Sequence, residues 1–480
     1  MTTQLVEIIM YYVAPGLLIL TLVLGRVWSG RTPKVPPKYR LKLQLDNGRF
    51  TIENIRRGIC IIGAAGSGKT ESVIYPILRH LATHQFCGIL HDYKDLELTE
   101  MAYPLFEQQQ VPFYTIAFDT LYYRVNPIAP RYLPNEESVH EVSKVLMENL
   151  LEQNLSEAMG SNKFFSDAVE GLLAGLIWKL RTHYPQFCTL PHLIAIFQYL
   201  DTESLEKFLG ADLTANTMAS AFIHGVDSEK QTAGVRSTLA NAFKKIGSRK
   251  LFMALSADEV PLDVNHPDRK AAIAISNHPK YESAFAPVIA TVMHTVVKQM
   301  SERGRESAFI LMEEAPTIKL LHMHRIPATL RSYDITTIYV MQDKIQNDML
   351  YGEKASKAII SNLSYQFFGK ANDPDTAKYY ERFFEIVTKP TRSVSKDAGW
   401  SSNSRITKGE KEVSKHRADE FFRLRTGEFI GFADGRDKKL RFRVPVIAKQ
   451  KPPIPKKYTE KDLDTNFERI HREVRGMFGR

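Results

Sequence analysis

The chain has 480 residues, 44% hydrophobic and 25% charged, which excludes a disordered or fibrous protein and exceeds what one compact core usually holds. Its three cysteines, Cys60, Cys87 and Cys188, lie far apart without metal-ligand spacing, which excludes a disulfide-stapled or zinc-ribbon scaffold and suits a reducing compartment. The net charge of +10 is concentrated at the end: residues 389–480 hold 24 Lys and Arg against 13 Asp and Glu, so residues 1–388 sum to about −1 and the body is not generally basic.

In chain order, Ile8 to Gly25 is an uncharged run of 18 residues. At about 1.5 Å per helical residue it nearly crosses a hydrocarbon core, and Leu5 to Val27 crosses it with flanks. Six basic residues follow (Arg26, Arg31, Lys34, Lys38, Arg40 and Lys42), whereas only Glu7 precedes it among charged residues. The positive-inside rule then puts the N-terminus outside and the body in the cytoplasm. A signal peptide would need a basic n-region and a small-residue cleavage site, and neither is present. Residues 1–28 are therefore predicted to be a single-pass transmembrane anchor.

Gly58 to Ile62 reads as a short apolar strand, and Gly63-Ala64-Ala65-Gly66-Ser67-Gly68-Lys69-Thr70 follows it, matching G-x-x-x-x-G-K-[ST]. In such a P-loop the glycines let backbone N–H groups wrap around phosphates, here those of ATP. Lys69 reaches the β- and γ-phosphates, and the Thr70 hydroxyl coordinates Mg²⁺. A helix over Glu71 to Leu81 adds its positive end. Phe86 to His91, Pro112 to Phe118 and Ala271 to Ser276 are further strands, each beside a helical pattern, so the fold class is α/β with a mainly parallel sheet.

Pro134 to Pro267 changes character, with helical periodicity at Phe165, Ala168, Leu172, Leu173, Leu176 and Leu180. Residues 134–267 are predicted to be an inserted all-helical domain. Its 17 Asp and Glu against 11 Lys and Arg make either a solvated acidic face or a docking face for basic partners.

Ala308 to Met312 is a buried-strand run ending in Glu313 and Glu314. With a P-loop present, Glu313 is assigned to the Mg²⁺ shell and Glu314 to polarising the attacking water; a strand ending in solvated acids is the alternative. The strand Ile335 to Met341 ends in Gln342, which in a parallel sheet faces the same crevice. It would contact the γ-phosphate or the water, or simply cap the next helix. Thr391 to Lys415, rich in Ser, Lys and Gly, reads as a long loop. Glu428 to Ala433 and Leu440 to Val444 read as a final strand pair across Asp434-Gly435. A last helix carries Leu463, Phe467, Ile470 and Val474 at helical spacing, fit to pack on the body or to bind a partner.

The order and spacing of these pieces resemble the type IV coupling proteins of conjugation and type IV secretion, from Gly58 to Tyr458. The resemblance rests on the P-loop, on Glu313-Glu314 with Ala315-Pro316 behind, on Arg331 before the next strand, and on Gln342. Phe164-Phe165-Ser166-Asp167-Ala168 is similar to the start of the family's inserted helical domain, Val125-Asn126-Pro127 to its Asn-Pro turn, and Phe429 to Tyr458 to its ending. The resemblance implies a RecA-like ATPase domain over 29–133 and 268–458, the insert at 134–267 and a helical tail at 459–480. It implies a hexameric, Mg²⁺-dependent ATP hydrolase of the inner membrane, carrying relaxase-bound DNA, and sometimes proteins, to the secretion channel. Arg331 would be the finger reaching a neighbour's site, and Asp92 and Lys94 would lie near the nucleotide. Three features depart from the family: Glu313 replaces its usual Asp, Tyr93 and Asp95 replace its Pro and Gly, and one span stands where many members have two. Protein export and a nucleotide-gated recruitment scaffold are the rival readings; a chromosome-segregation pump is disfavoured by the helical insert and the ending.

The anchor yields a topology test. A Thr3→Cys variant is expected to react with a membrane-impermeant thiol reagent added outside intact cells, whereas labelling only after lysis would reverse the orientation.

Overall fold

In a computed structural model of the chain, the described residues are 35–151, 161–225, 229–396 and 404–479, with five positions between 13 and 21. The apolar run Ile8 to Gly25 lies almost wholly outside them, and no helix among the described residues is long and apolar enough to cross a membrane.

A small hairpin, β1 (Leu41–Gln44) and β2 (Arg49–Ile52), precedes β3 (Ile59–Ile62), which leads into the P-loop. Then come β4 (Cys87–Asp92), β5 (Phe113–Ile116), β6 (Ala272–Ser276), β7 (Ala308–Met312), β8 (Ile335–Met341) and β9 (Tyr365–Phe368). The last four are β10 (Ile386–Lys396), β11 (Ser404–Ser414), β12 (Glu428–Ala433) and β13 (Arg436–Arg441). One sheet contains nine of them in the order β13-β12-β9-β3-β8-β7-β4-β6-β5. From β9 to β5 every pairing is parallel, and β12 and β13 close one edge antiparallel. Both faces are covered, which is why β3 reads as a continuous apolar run rather than an alternating one. Cys60 and Ile62 pack into one core and Ile59 and Ile61 into the other.

Between β5 and β6 the described chain has helices and no strand, the longest being Ser161–His183 and Glu229–Ile246. The insert shares the Cys60–Ile62 core with the sheet through Val139, Leu146, Leu172 and Leu176. The helix Glu136–Leu151 packs along Glu282–Met300, which leads from β6 towards β7. The last helix, Glu460–Met477, resolves its own ambiguity by packing on the insert. Leu463, Ile470 and Val474 are buried, Phe467 lies 4.8 Å from Phe252 between ring centres, and Glu473 bonds His192 at 2.9 Å.

Two sequence expectations need correction. The segment expected to be a long loop is largely the antiparallel β10–β11 ribbon, separate from the main sheet. A ribbon that covers no core needs no apolar face, so low hydrophobicity misled the reading. The final strand is Arg436–Arg441, not Leu440 to Val444. Asp434 (φ 51°) and Gly435 (φ 76°) both turn left-handed, making a two-residue hairpin turn that pairs Arg436 directly with Ala433.

Gly88 sets the tightest constraint in the sheet. It adopts φ +147° in β4, and a Cβ there would stand 2.1 Å from the Phe309 carbonyl oxygen of β7. Gly88→Ala is expected to destabilise the body by about 3 kcal/mol, combining backbone strain with a steric clash. Chemical or thermal unfolding read by tryptophan fluorescence checks this; an unchanged midpoint would show that the strand relaxes freely.

Candidate nucleotide-binding site

β3 feeds the loop Gly63 to Thr70, in which Gly66 (φ 74°) and Gly68 (φ 83°) make the left-handed turns that bring backbone around a phosphate. Two other segments brace this loop. The Ala64 N–H donates to the Lys370 carbonyl at 2.8 Å, just beyond β9. On the other side the Thr426 hydroxyl donates to the Gly66 carbonyl, and the Gly427 N–H to that of Ser67, both at 2.9 Å. Pro76 offers no N–H to the Ser72 carbonyl, and the first helical turn, Thr70–Ile74, is π-wound, with Tyr75 N–H bonded to the Thr70 carbonyl.

Lys69 is buried, and its ammonium donates to the Gly63 carbonyl at 2.5 Å. Burial lowers its pKa, while Glu314 opposes the shift. The strand order places β8 between β3 and β7, so residues ending all three strands meet at one crevice. Glu313 and Glu314 are only 2% and 3% exposed, which removes the alternative of solvated strand-end acids. Glu314 sits at φ 46°, a conformation costing on the order of 1 to 3 kcal/mol for a side-chain-bearing residue. Its Oε1 accepts a 3.0 Å hydrogen bond from the Gln342 amide. Gln342 is not the helix cap; Asp343 is, accepting from the Gln346 N–H at 2.9 Å.

Burial pushes the Glu313 carboxyl up to about 8, and Asp92 adds to that. Lys94, with Nζ 3.7 Å from Glu313 Oε1, only partly opposes the shift. The other Glu313 oxygen and the Ser67 hydroxyl are buried without a hydrogen-bond partner. An orphaned carboxylate oxygen at the mouth of a phosphate loop is the oxygen-rich, anionic setting that a divalent cation favours, so the residues fit ATP with Mg²⁺. Glu313 and Thr70 are the residues that would hold the metal.

Asp92 and Lys94 have different surroundings. Asp92 is buried and satisfied within its own turn, accepting from Thr99 N–H and hydroxyl at 2.7 Å each and from Lys94 N–H at 3.1 Å. Lys94 faces Glu313. The Tyr93 hydroxyl donates to Glu282 at 3.1 Å, a use for the residue that departs from the family pattern. Arg331 stands apart, exposed on the turn before β8. β8 has seven residues, so at about 3.3 Å each Arg331 is more than about 20 Å from Gln342 and cannot serve its own P-loop. Sequence reading missed the two braces at Lys370 and Thr426-Gly427; the glycines at 369 and 427, each next to a strand, were the available signal.

The chain matches, over residues 23–437, the family model described as Type IV secretory system Conjugative DNA transfer. It belongs to that family. Its fold is similar to the bacterial conjugative coupling protein TrwBdeltaN70 in its unbound form, with TM-score 0.66, 12% identity, and 86% of this chain and 90% of that chain covered. TrwB in complex with the non-hydrolysable ATP analogue ADPNP matches with TM-score 0.64 and 12% identity over 83% of this chain and 87% of that one. VirB4 of Thermoanaerobacter pseudethanolicus matches with TM-score 0.52 and 11% identity, over 85% and 96%. No curated protein matches the chain in sequence.

The two carboxylates give a test that separates binding from turnover. Glu314→Gln keeps size and the Gln342 contact region but loses the base, so nucleotide binding should persist while hydrolysis falls at least about a hundredfold. Lys69→Ala should lose nucleotide affinity or turnover outright. Equilibrium binding of a fluorescent ATP analogue beside phosphate release checks both; normal turnover in Glu314→Gln with loss in Glu313→Gln would exchange the two roles.

Proposed function

We propose that this member of the conjugative DNA transfer family is an ATP-hydrolysing motor, anchored in the inner membrane, that moves relaxase-bound DNA towards a type IV secretion channel. The observation that carries the reading is the Gln342–Glu314 hydrogen bond beside Lys69. It pairs a base after β7 with a sensor after β8, and Lys69, after the neighbouring β3, is near enough for Glu314 to oppose the lowering of its pKa by burial. Glu314 is positioned to take a proton from water, and Gln342 holds that carboxylate in its strained, left-handed place. Lys69 would exchange the Gly63 carbonyl for phosphate oxygens. Bound Mg²⁺–ATP supplies the transferable phosphoryl group and the charge neutralisation at it. The match to TrwB bound to ADPNP supports the nucleotide, and the family description supports the DNA cargo.

A nucleotide-gated recruitment scaffold is the second reading, and one observation favours it. Glu313 carries one methylene more than the family's Asp, and its carboxyl is held up near 8 by burial, which weakens it as a metal-side anion. ATPase rates of the full chain in detergent, with and without DNA, decide between the two. A DNA-raised rate abolished by Lys69→Ala supports the motor, and a near-zero rate throughout supports the scaffold.

The unit we propose is a ring, a homo-hexamer by family resemblance, with Arg331 acting on the neighbouring subunit. Arg331 is exposed and far from its own P-loop, whereas a P-loop motor gains about a thousandfold or more from a cation supplied to the γ-phosphoryl group. Head-to-tail contacts that close a ring supply one such cation per site. Arg331→Ala and Lys69→Ala subunits, each inactive alone, should regain partial ATPase activity when mixed, because some interfaces then pair an intact loop with an intact arginine. No recovery in verified mixed assemblies would remove the trans role.

A further inference from the structure

We infer that one face of the β10–β11 ribbon is a phosphate-backbone contact for the transferred nucleic acid. The inference rests on the DNA-transfer reading and assigns its cargo a site. Register sets the geometry. The two 11-residue strands pair Lys389 with Lys411, Ser393 with Thr407 and Ser395 with Arg405, and these pairs share one face because every second position does. By backbone register the positions on this side from Lys389 to Ser395 and from Arg405 to Lys411 comprise three cations, hydroxyl residues and a glycine, with no carboxylate and no apolar residue. The opposite register positions also carry three cations, Arg392, Lys396 and Lys408, but set them beside Glu410 and Glu412, which pair with Pro390 and Thr388, and beside the apolar pair Val394 and Ile406.

Lys389 and Lys411 are both exposed, and neither has an ion-pair partner among the described residues. Like charges directly across a ribbon cost stability, so a counter-anion between them relieves a repulsion built into the fold. An isolated two-stranded ribbon is itself marginal, and a partner would order it. Lys, Arg, Ser and Thr are the side chains that contact phosphates, whereas an acidic protein would be gripped around aromatic or aliphatic anchors that this face lacks. From Lys389 to Ser395 is about 20 Å of strand, room for a few consecutive phosphates of one DNA strand.

The ribbon is also well placed to report to the ATP site. At its stem Lys415 and His416 bond Asp437 of β13 at 2.7 and 2.8 Å, and Phe384 packs on Phe368 of β9 at 5.4 Å. The ribbon lies within the connection between β9 and β12. The two ends of that connection, Gly369-Lys370 and Thr426-Gly427, are the segments that brace the P-loop.

The test compares two charge-matched triple variants of the full chain. The first is Lys389→Glu, Arg405→Glu and Lys411→Glu, on the phosphate face. The second is Arg392→Glu, Lys396→Glu and Lys408→Glu, on the opposite face. Both are verified folded by an unchanged thermal midpoint, with Gln in place of Glu if either fails. Binding of labelled single- and double-stranded oligonucleotides is measured by anisotropy across a salt series. The first triple is expected to lose at least about tenfold in affinity, and its log–log salt slope should shrink by about 2 to 3, while the second changes affinity by less than about threefold. Equal losses in both triples, or none in either, would overturn the assignment. So would intact DNA binding with lost binding of polyglutamate, which would point to an acidic protein. If the first triple behaves as expected while DNA leaves the wild-type ATPase rate unchanged, the ribbon stands and the motor reading falls.

Discussion

Two neighbouring carboxylates buried at the end of β7 are the arrangement on which the rest of the site depends. Ionised groups removed from water and set side by side repel each other, and each is stable there only with a compensating cation or proton. The chain supplies Lys69 from β3 and Lys94 from the turn after β4, yet one Glu313 oxygen stays without a partner. Burial first, and the neighbouring Asp92 after it, hold the Glu313 carboxyl near 8, and Lys94 only partly offsets them. The site as built is therefore short of positive charge, the condition under which a divalent cation with its phosphates is drawn in.

The sheet order explains how distant segments share this charge deficit. β3, β8 and β7 are adjacent and parallel, so Lys69, Gln342 and the two glutamates emerge at the same edge although they are spread over 273 positions, from 69 to 342. A parallel sheet demands crossover connections, and those crossovers supply the helices that bury both faces. The longest crossover, between β5 and β6, has grown into the helical insert without disturbing the edge, because it leaves and returns on strands remote from β3.

Much of this was legible in the residues. The P-loop has its own spacing, β7 is an uninterrupted apolar run that stops at Glu313, and β8 is a β-branched and apolar run that stops at Gln342. What was not legible divides by cause. β9 is only four residues, Tyr365–Phe368, and its Gln366 breaks the apolar run, so pattern alone does not separate it from the helix before it. The braces at Lys370 and Gly427 act through backbone N–H and carbonyl groups, which every residue has, and leave almost no side-chain signature. The ribbon was mistaken for a loop because its stability rests on cross-strand hydrogen bonding and a polar stem at Asp437, not on burial. The apolar run Ile8 to Gly25 is the reverse case: it is plain in the sequence, and it lies almost wholly outside the described residues.

β8 also carries an argument about the opposite edge of the sheet. Its far end begins at Asp334, in a left-handed turn directly after Arg331-Ser332-Tyr333. Asp334 accepts hydrogen bonds from the Tyr39 hydroxyl at 2.6 Å and the Ser307 hydroxyl at 2.5 Å, with Arg56 3.7 Å away and stacked on the Tyr39 ring. Lys38, which follows the apolar N-terminal run, donates to the same Ser307 at 2.7 Å. A half-buried aspartate tied to that many partners is fixed in place, since loosening it would leave charge and hydroxyls unpaired together. One fully buried strand thus has Gln342 at its nucleotide end and, at its other end, the turn bearing Arg331, pinned to the segment nearest the N-terminal apolar run. Packed interiors transmit displacement rather than absorb it. The two ends of β8 are therefore bound to move as one piece, and the exposed arginine is held at a fixed distance from the residue that touches Glu314.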